Sequence, residues 1–327
     1  MKIAVFNLRD DEREIVEKYS KLYNIEIKEI KQAPQEDNVE DVKGCDCISI
    51  TTNSRITRNM MAAYRDLGIR FISTRTIGYE HIDIEAATEY GIKAGNISYS
   101  PNSVADYAIM MILMVLRKVK NIMYRSLGQD YELTKSRGKE LPNLTVGIIG
   151  TGKIGATVAK HLTGFGCKLI AYDPYPKKEL ESILTYVSLD ELYREADVIT
   201  IHVPATDENI HMINKESIAK MKQGVVIINT ARGSLLDSNA LIEGIESGHV
   251  SGAGLDVIDG DRLIYYRDQK YEVIAHREMA ILNGFPNVLM MPHTAFYTDE
   301  AVDDMVRNSL LSCKNFIEGK SYEGGLN

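Results

Sequence analysis

Residues 145–155 read Thr-Val-Gly-Ile-Ile-Gly-Thr-Gly-Lys-Ile-Gly, and this stretch decides the fold class of the chain. An apolar, β-branched run leads directly into the spacing G-x-G-x-x-G. Gly150 permits a tight turn, Gly152 lets the backbone approach a bound anion, and Gly155 lets a helix lie close to the strand. The stretch therefore predicts a strand, a pyrophosphate-binding loop and a helix over residues 154–164.

An acidic residue ends the next predicted strand. Asp173 follows Leu169-Ile-Ala-Tyr, roughly 20 residues beyond the glycines, where a carboxylate accepts hydrogen bonds from the adenosine ribose. The same carboxylate repels a 2′-phosphate, and no arginine stands beside it. The alternative is a solvated turn aspartate before Pro174. Together with the glycines, Asp173 favours a dinucleotide site that takes NAD rather than NADP.

Short apolar strands alternate with longer amphipathic helices along the whole chain, as in parallel α/β proteins. In the second half, strands are predicted at residues 145–150, 168–173, 198–203, 225–230, 252–257 and 288–292. In the first half they are predicted at residues 2–6, 24–30, 47–50, 70–74 and 92–96. The predicted fold class is α/β with two doubly wound parallel-sheet domains, a flavodoxin-like substrate domain and an inserted Rossmann NAD-binding domain.

The domain boundaries follow from the length and from the last helix. A chain of 327 residues is too long for a single compact core. The final amphipathic helix, residues 299–318, has no strand left to join, so we expect it to pack onto the first domain. The prediction is a substrate domain over residues 1–99 and 297–327, and an NAD-binding domain over residues 100–296.

A helix is predicted at residues 103–119, with Ser103 as its N-cap. It carries Tyr107, Met110, Met111 and Met114, and it is apolar around most of its circumference. A helix of this kind is buried on several sides. We therefore expect it to contribute to the core or to lie at a domain or subunit interface.

Composition excludes several classes of function. The net charge of −8 argues against nucleic acid or an anionic membrane as partner, because binding phosphates needs a basic face. A small-molecule substrate is expected instead. The four cysteines suit a reducing cytoplasm better than a disulfide framework, and the acidic N-terminal stretch does not resemble a signal peptide. No spacing of His, Cys and carboxylates predicts a metal site.

Two residues at predicted strand ends carry the expected chemistry, because ligands of an open parallel sheet collect at the carboxyl ends of its strands. Arg232, in Asn229-Thr-Ala-Arg232-Gly, can bind a carboxylate through two hydrogen bonds and polarise a neighbouring carbonyl. His293, in Pro292-His-Thr, can give and take a proton near neutral pH. A structural salt bridge is the alternative for Arg232, and a structural role is the alternative for a lone histidine. Asp259 and Asp261 are the acids nearest in sequence that could keep His293 protonated.

At these residues the chain resembles the D-isomer-specific 2-hydroxyacid dehydrogenase family, in particular its D-lactate and D-2-hydroxyisocaproate dehydrogenase branch. The similarity covers almost the whole chain and is weakest before residue 40 and over residues 262–285. The motifs that carry it are Arg75-Thr-Ile-Gly78, Tyr99-Ser-Pro, Gly150-Thr-Gly-Lys-Ile-Gly155, Asn229-Thr-Ala-Arg232-Gly and Pro292-His-Thr-Ala-Phe-Tyr-Thr298.

The resemblance implies a role for each matching residue. Arg232 anchors the 2-oxo acid, His293 is the proton donor and acceptor, and Asp261 is the partner of the histidine. The substrate is bound by Ile77, Gly78, Tyr99 and Phe296. NAD is bound by Gly150, Gly152, Lys153, Ile154, Gly155, Asp173, Val203, Pro204, Asn209, Thr230, Ala231 and Asp256. The family also implies a homodimer built on the cofactor domains.

The chain departs from the family pattern at two positions, one at the partner of His293 and one at the substrate. Asp261 stands where relatives carry a glutamate, so Asp259 is kept as the alternative partner of His293. Thr51 stands where lactate-preferring relatives carry a tyrosine, and the smaller side chain leaves room for a larger acid.

D-lactate dehydrogenase is the leading prediction. The alternatives are a dehydrogenase for 2-hydroxyisocaproate or phenyllactate, and an NADH-sensing regulatory protein.

Overall fold

The computed structural model describes residues 1–53, 55–261 and 264–327, and within them the chain forms two compact units. The first unit consists of Met1–Ser100 and Tyr297–Asn327, and the second of Pro101–Phe296. Among the described residues, no helix combines the length and the apolar character needed to cross a bilayer.

The first unit is built on a parallel sheet with strand order β2-β1-β3-β4-β5 among its described residues. The strands are β1 (Lys2–Phe6), β2 (Glu26–Ile30), β3 (Cys47–Ile50), β4 (Phe71–Thr74) and β5 (Lys93–Gly95). Every residue of β3 and β4 is buried. Continuous apolar runs of this kind are typical of parallel strands covered on both faces.

Helices cover both faces of this sheet. They are α1 (Arg13–Tyr23), α2 (Arg58–Asp66), α3 (Ile84–Glu89) and the C-terminal α11 (Asp299–Ile317). Val306, Leu310 and Cys313 of α11 pack in one buried cluster with Ile3 and Phe71 of the sheet. The last helix therefore belongs to the core of the first unit.

The second unit is built on a parallel sheet with strand order β12-β11-β10-β9-β6-β7-β8 in the part of the chain that the structure describes. Its strands are β6 (Thr145–Ile149), β7 (Lys168–Tyr172), β8 (Thr185–Tyr186), β9 (Val198–Ile201), β10 (Val225–Asn229), β11 (Val250–Leu255) and β12 (Val288–Met290). The sequence did not predict β8, because a strand of two residues carries no periodic pattern. The predicted fold class, two parallel-sheet α/β domains, is confirmed.

The helices of this unit are α4 (Asn102–Leu116), α5 (Val119–Leu127), α6 (Lys153–Leu162), α7 (Leu189–Glu195), α8 (Lys215–Lys220), α9 (Ser238–Glu246) and α10 (Arg277–Gly284). The helix predicted at residues 103–119 is in fact α4, and it ends because Lys118 adopts a left-handed backbone conformation with φ 53°. Ser103 is not its N-cap. Pro101 holds that position with φ −69°, which is already helical, and Ser103 is buried inside the first turn.

Candidate active site

The glycine loop after β6 has the conformation that its spacing predicts. Gly150 has φ 90°, and a Cβ there would lie 2.7 Å from the carbonyl oxygen of His202. A Cβ at Gly155 would lie 1.9 Å from the carbonyl oxygen of Gly150, so only glycine lets α6 approach the strand this closely. A Cβ at Gly152 would have no neighbour within 4 Å, and the residue is exposed at the start of α6. The loop thus has an open side onto which the first amides of α6, including those of Lys153 and Ile154, can bind an anion.

Asp173 follows β7 and reaches the same loop. Its carboxylate accepts hydrogen bonds from the Thr151 amide at 2.6 Å, the Thr151 hydroxyl at 2.9 Å and the Tyr175 amide at 2.8 Å. Partial burial raises the pKa of Asp173, but these hydrogen bonds outweigh that effect and leave the pKa below its ordinary value. The carboxylate is therefore ionised at the edge of the glycine loop.

The segment after β9 forms the neighbouring wall of the loop. A Cβ at Gly150 would lie 2.6 Å from Val203 Cγ1, so Val203 packs directly against the turn. Asn209 fixes the segment, because its side-chain amide donates to the Pro204 carbonyl at 2.8 Å while its oxygen accepts from the Thr206 amide. Burial of the His202 ring lowers its pKa to about 3, so this histidine is neutral. It cannot serve as an acid at working pH.

The turn after β10 presents Arg232. Asn229, fully buried at the strand end, accepts from the Ala231 amide at 3.0 Å and donates to the Arg232 carbonyl at 2.8 Å. The turn is thereby fixed on both sides of Arg232, whose guanidinium donates to the Ala231 carbonyl at 2.8 Å. Next to it, the Thr230 hydroxyl is buried and has no hydrogen-bond partner within the described residues.

Asp256, at the end of β11, organises the segment that carries His293. The His293 amide donates to the Asp256 carbonyl at 2.8 Å. The Asp256 carboxylate, fully buried, accepts from the Thr294 and Ala295 amides, both at 2.9 Å. Burial raises the pKa of Asp256 although the two amides oppose that shift. His293 itself has φ 56°, a left-handed conformation that few residues other than glycine adopt.

The two proposed catalytic residues therefore follow strands on either side of β11. Asn229 pairs with Leu255, and Leu255 pairs with Met290, so the three strand ends are level. The Asp256 amide also donates to the Asn229 carbonyl at 2.9 Å. Arg232 and His293 thus extend from the two strands that flank β11, on one edge of the sheet.

The two candidate acids have different surroundings. Asp261 is largely buried, which raises its pKa to about 6, and the positive charge of Arg232 opposes this rise. Asp259 instead directs its carboxylate toward His211, with Oδ2 3.5 Å from Nε2. A Cβ at Gly233 would lie 2.0 Å from the Ile258 carbonyl carbon, so the Arg232 turn packs against the segment leading to both acids. This geometry favours Asp261 over Asp259 as the acid of the site.

In the first unit, the segment Arg75–Gly78 is held by a buried cation. Arg75 is 1% exposed and donates to Glu12 at 3.2 Å, to the Ser49 hydroxyl at 3.0 Å and to the Phe6 carbonyl at 2.9 Å. Further along, the Asn96 side chain donates to the Ile77 carbonyl at 2.6 Å. Within the described part of the chain, the amides of Ile77 and Gly78 donate to no protein acceptor. Two adjacent N–H groups in this state can bind a carboxylate.

The structure also describes Thr51, Phe296 and Tyr99, which the sequence assigns to the substrate. Thr51 follows β3, is 7% exposed, and its hydroxyl has no hydrogen-bond partner among the described residues. In the second unit, Phe296 meets the ring of Tyr266 edge-on at 6.4 Å between ring centroids. Tyr99 is half-buried in the first unit.

The residues on the sheet edge of the second unit fit a dinucleotide. They offer an open glycine surface at Gly152, an ionised Asp173 beside it and a buried Thr230 hydroxyl that has no hydrogen-bond partner among the described residues. An α/β sheet with these groups, and with an arginine and a histidine after the two strands that flank β11, defines the class of dinucleotide-dependent oxidoreductases.

Sequence reasoning missed several residues that position this site. Thr151 holds Asp173, Tyr107 shares a 2.9 Å hydrogen bond with the Thr294 hydroxyl, and Tyr266 contacts His293. Asn229 belongs to the motif Asn229-Thr-Ala-Arg232-Gly. Its hydrogen bonds within the turn, however, depend on a backbone geometry that the motif does not reveal. Tyr266 lies in the stretch of weakest similarity, where no sequence signal was available.

Comparison with known proteins agrees with this class. Residues 109–295 match the family described as D-isomer specific 2-hydroxyacid dehydrogenase, NAD binding domain. The chain is 40% identical over 323 residues to a D-specific alpha-keto acid dehydrogenase of Enterococcus faecalis, covering 99% of each chain. It is 42% identical over 318 residues to an aromatic 2-oxoacid reductase of Clostridium sporogenes, covering 97% of this chain and 96% of that one. A solved D-lactate dehydrogenase from Treponema pallidum has a TM-score of 0.91 at 33% identity, covering 100% of both chains.

The chain belongs to the D-isomer-specific 2-hydroxyacid dehydrogenase family. It is an oxidoreductase acting on CH–OH groups, and its cofactor is NAD. The predicted family, enzyme class and cofactor are confirmed.

Proposed function

We propose that this chain is a D-lactate dehydrogenase that reduces pyruvate to D-lactate with NADH, using Arg232, His293 and Asp261. The observation that carries the chemistry is the common support of Arg232 and His293 at the end of β11. The Asp256 amide binds the strand that leads to Arg232, and the Asp256 carbonyl and carboxylate bind the segment of His293. A cation and a proton donor are thereby held at the ends of the two strands that flank β11, on one edge of the sheet, and reduction of a 2-oxo acid requires both groups.

Each residue has one task in the reaction. Bound NADH supplies the hydride that adds to C2 of the 2-oxo acid. Arg232 binds the substrate carboxylate and polarises the C2 carbonyl, because a guanidinium donates two parallel hydrogen bonds. The imidazolium of His293 donates its proton to the carbonyl oxygen as that oxygen gains negative charge. Asp261 stabilises the imidazolium when its own carboxyl is ionised.

The resemblance to the family assigns binding of the substrate carboxylate to the amides of Ile77 and Gly78 together with Tyr99. The buried ion pair of Arg75 and Glu12 keeps the backbone of this segment in place. Because Asp173 is ionised where the adenosine ribose is expected, NADH is preferred over NADPH.

A second candidate is reduction of larger 2-oxo acids such as 2-oxoisocaproate or phenylpyruvate. Thr51 favours it, because its buried side chain is much smaller than a tyrosine and its hydroxyl has no hydrogen-bond partner among the described residues. The relative named as an aromatic 2-oxoacid reductase, at 42% identity, favours it too.

One kinetic panel separates these functions. Initial rates of NADH oxidation with pyruvate, 2-oxoisocaproate and phenylpyruvate give kcat/KM for each acid, and chiral analysis of the product gives its configuration. The proposal expects the highest kcat/KM with pyruvate and a D product. A tenfold or greater preference for a larger acid would establish the second candidate. Binding of NADH without turnover of any of the acids would instead favour an NADH-sensing protein.

A homodimer is part of the proposal and is supported by exposed apolar surface on the second unit. Side chains of α5 and the following segment are open to solvent, including Met123 at 59%, Leu127 at 82% and Leu133 at 89%. Beside them lies a cavity of about 720 Å³, whose lining includes Ile109, Met110, Leu113, Met114, Ile122 and Phe165. A second copy of this chain would cover such a surface. Light scattering of the purified protein should give the mass of a dimer, and Leu127→Asp should shift it toward the monomer.

A further inference from the structure

Tyr266 and His293 are joined by a hydrogen bond that none of the roles above uses. The Tyr266 hydroxyl donates to the His293 carbonyl at 2.7 Å. The two rings lie 5.9 Å apart between centroids and are tilted by 32°. Tyr266 is 45% exposed, so this contact does not follow from packing of the core.

The bond matters because of where it falls on the backbone of His293. Two peptide planes flank the residue, and their orientations set its φ and ψ. The plane before it is held by its amide, which donates to the Asp256 carbonyl. The plane after it carries the His293 carbonyl and the Thr294 amide at opposite ends. Asp256 binds that amide at 2.9 Å and Tyr266 binds that carbonyl at 2.7 Å.

Both planes need these restraints because His293 adopts φ 56°. A residue with a Cβ in this region carries strain of about 1 kcal/mol or more, and it stays there only when the surroundings fix it. The direction of the Cα–Cβ bond, and hence the position of the imidazole, depends on both planes. Without the Tyr266 hydroxyl, the second plane keeps the Asp256 bond at its amide end but loses the Tyr266 bond at its carbonyl end.

The segment that precedes Tyr266 is hydrogen-bonded to Asp261, the proposed partner of the histidine. The amides of Ile264 and Tyr265 both donate to the Asp261 carbonyl, at 2.8 and 2.9 Å. The Tyr265 side chain is 6% exposed and packs in the core, so it anchors the segment from which Tyr266 extends. The backbone of Asp261 and that of His293 are therefore connected through Tyr266.

We infer that Tyr266 is a positioning residue that fixes the backbone of His293, and with it the orientation of the proton donor relative to Asp261. The inference rests on the proposed role of His293 in proton transfer. Tyr266 touches no reacting atom in this scheme and acts through the His293 carbonyl. Its ring, which also meets Phe296 edge-on at 6.4 Å, is not needed for this role.

The test is a pair of variants and a double-mutant cycle. Tyr266→Phe keeps the ring and removes the hydroxyl. Tyr271→Phe is the matched control, because Tyr271 belongs to the same stretch but is 98% exposed. We expect Tyr266→Phe to lower kcat for 2-oxo acid reduction about tenfold, since small displacements of a catalytic group are costly, with KM for NADH unchanged. Tyr271→Phe should match the wild type.

The cycle distinguishes positioning from a general structural role. His293→Asn removes the proton donor, and asparagine tolerates a left-handed backbone. If Tyr266 acts only through the imidazole, Tyr266→Phe will have no further effect in the His293→Asn background. A full tenfold loss in that background, or wild-type kcat in the single variant, would overturn the inference. Failure of His293→Asn to reduce activity would instead refute the proposed function.

Discussion

One carboxylate oxygen of Asp173 accepts two hydrogen bonds from Thr151, from its amide at 2.6 Å and from its hydroxyl at 2.9 Å. Thr151 stands between Gly150 and Gly152, so the carboxylate that we propose for ribose binding is connected directly to the turn that we propose for phosphate binding. The glycines and Asp173 are therefore one structural unit, although they follow different strands. Changes at Asp173 should affect both the choice of cofactor and the order of the loop.

Asp173→Ala is expected to weaken NADH binding and to reduce the preference for NADH over NADPH. The carboxylate binds the ribose hydroxyls and repels a 2′-phosphate, and both effects disappear with it. Dissociation constants for the two cofactors, measured by isothermal titration calorimetry, give the ratio. Thr151→Val is the control, since it removes the hydroxyl bond but leaves the charge in place. An unchanged ratio in Asp173→Ala would remove this residue from the ribose site.

His293→Asn should lower kcat for pyruvate reduction by orders of magnitude while leaving the NADH dissociation constant nearly unchanged. The imidazolium gives its proton only in the transition state, so its loss affects turnover rather than cofactor binding. Stopped-flow measurement of a single turnover isolates the chemical step. His249→Gln is a suitable control, because His249 contacts the Met221 carbonyl at 3.0 Å on another part of the sheet. Equal losses in the two variants would contradict the assignment.

The sequence predicted those parts of the site that depend on local chain geometry. The positions of Gly150 and Gly155 could be predicted, because their spacing from a strand determines where the backbone must pass without a side chain. The location of Arg232 and His293 on one edge of the sheet could be predicted, because the carboxyl ends of parallel strands lie on the same edge. Each of these inferences needs only neighbours in sequence and the rule for a parallel sheet.

The parts that were missed depend on contacts between distant residues. Ser103 satisfies the pattern of an N-cap, but Pro101 before it is already helical, so the local pattern gave the wrong start. The helix predicted to residue 119 ends early because Lys118 turns left-handed, which no sequence pattern indicated. Tyr266 lies in a stretch without clear similarity to the family, and His293 follows β12. Only the folded chain brings these two residues into contact.

Arg232 should tolerate neither the loss of its charge nor the replacement of its guanidinium. Arg232→Ala is expected to raise KM for pyruvate and lower kcat together, since the residue binds the carboxylate and polarises the carbonyl. Arg232→Lys keeps the charge but not the paired hydrogen bonds, so it should recover only part of the loss. Steady-state kinetics with Arg194→Ala, an exposed arginine of α7, provide the control. Unchanged KM in Arg232→Ala would contradict the anchoring role.

Because of Asp261, the free energy of unfolding should decrease as the pH rises, whereas a salt-bridged acid would make it increase. Burial raises its pKa to about 6 from an ordinary value of 3.8, so the fold favours the protonated carboxyl. The contribution of the protonated Asp261 carboxyl to the free energy of unfolding is fully present below about pH 4 and is lost as the pH rises through 6. At pH 8 the cost of the ionised group is about 3 kcal/mol or less. Asp261→Asn should therefore raise the free energy of unfolding at pH 8 and change it little at pH 4.

Urea denaturation of the cofactor-free protein at the two pH values measures this difference. The same variant should lose kcat, because asparagine cannot stabilise the imidazolium of His293. Asp261→Glu, which introduces the residue that the family resemblance leads us to expect, should retain activity. An Asp261→Asn variant that is less stable than the wild type at pH 8 would show that the ionised carboxylate has a stabilising partner.

Thr51 offers a direct test of substrate size. Thr51→Tyr introduces the residue that lactate-preferring relatives are expected to carry, and it adds an aromatic ring at the end of β3. It should lower kcat/KM for phenylpyruvate at least tenfold relative to pyruvate, because an added ring excludes a large side chain sterically. Thr51→Val keeps the volume and removes only the unpaired hydroxyl, so its ratio of the two kcat/KM values should equal that of the wild type. The ratio for each variant is read from competition between the two acids in one reaction. If Thr51→Tyr leaves this ratio unchanged while the protein still folds and binds NADH, Thr51 does not contact the substrate side chain.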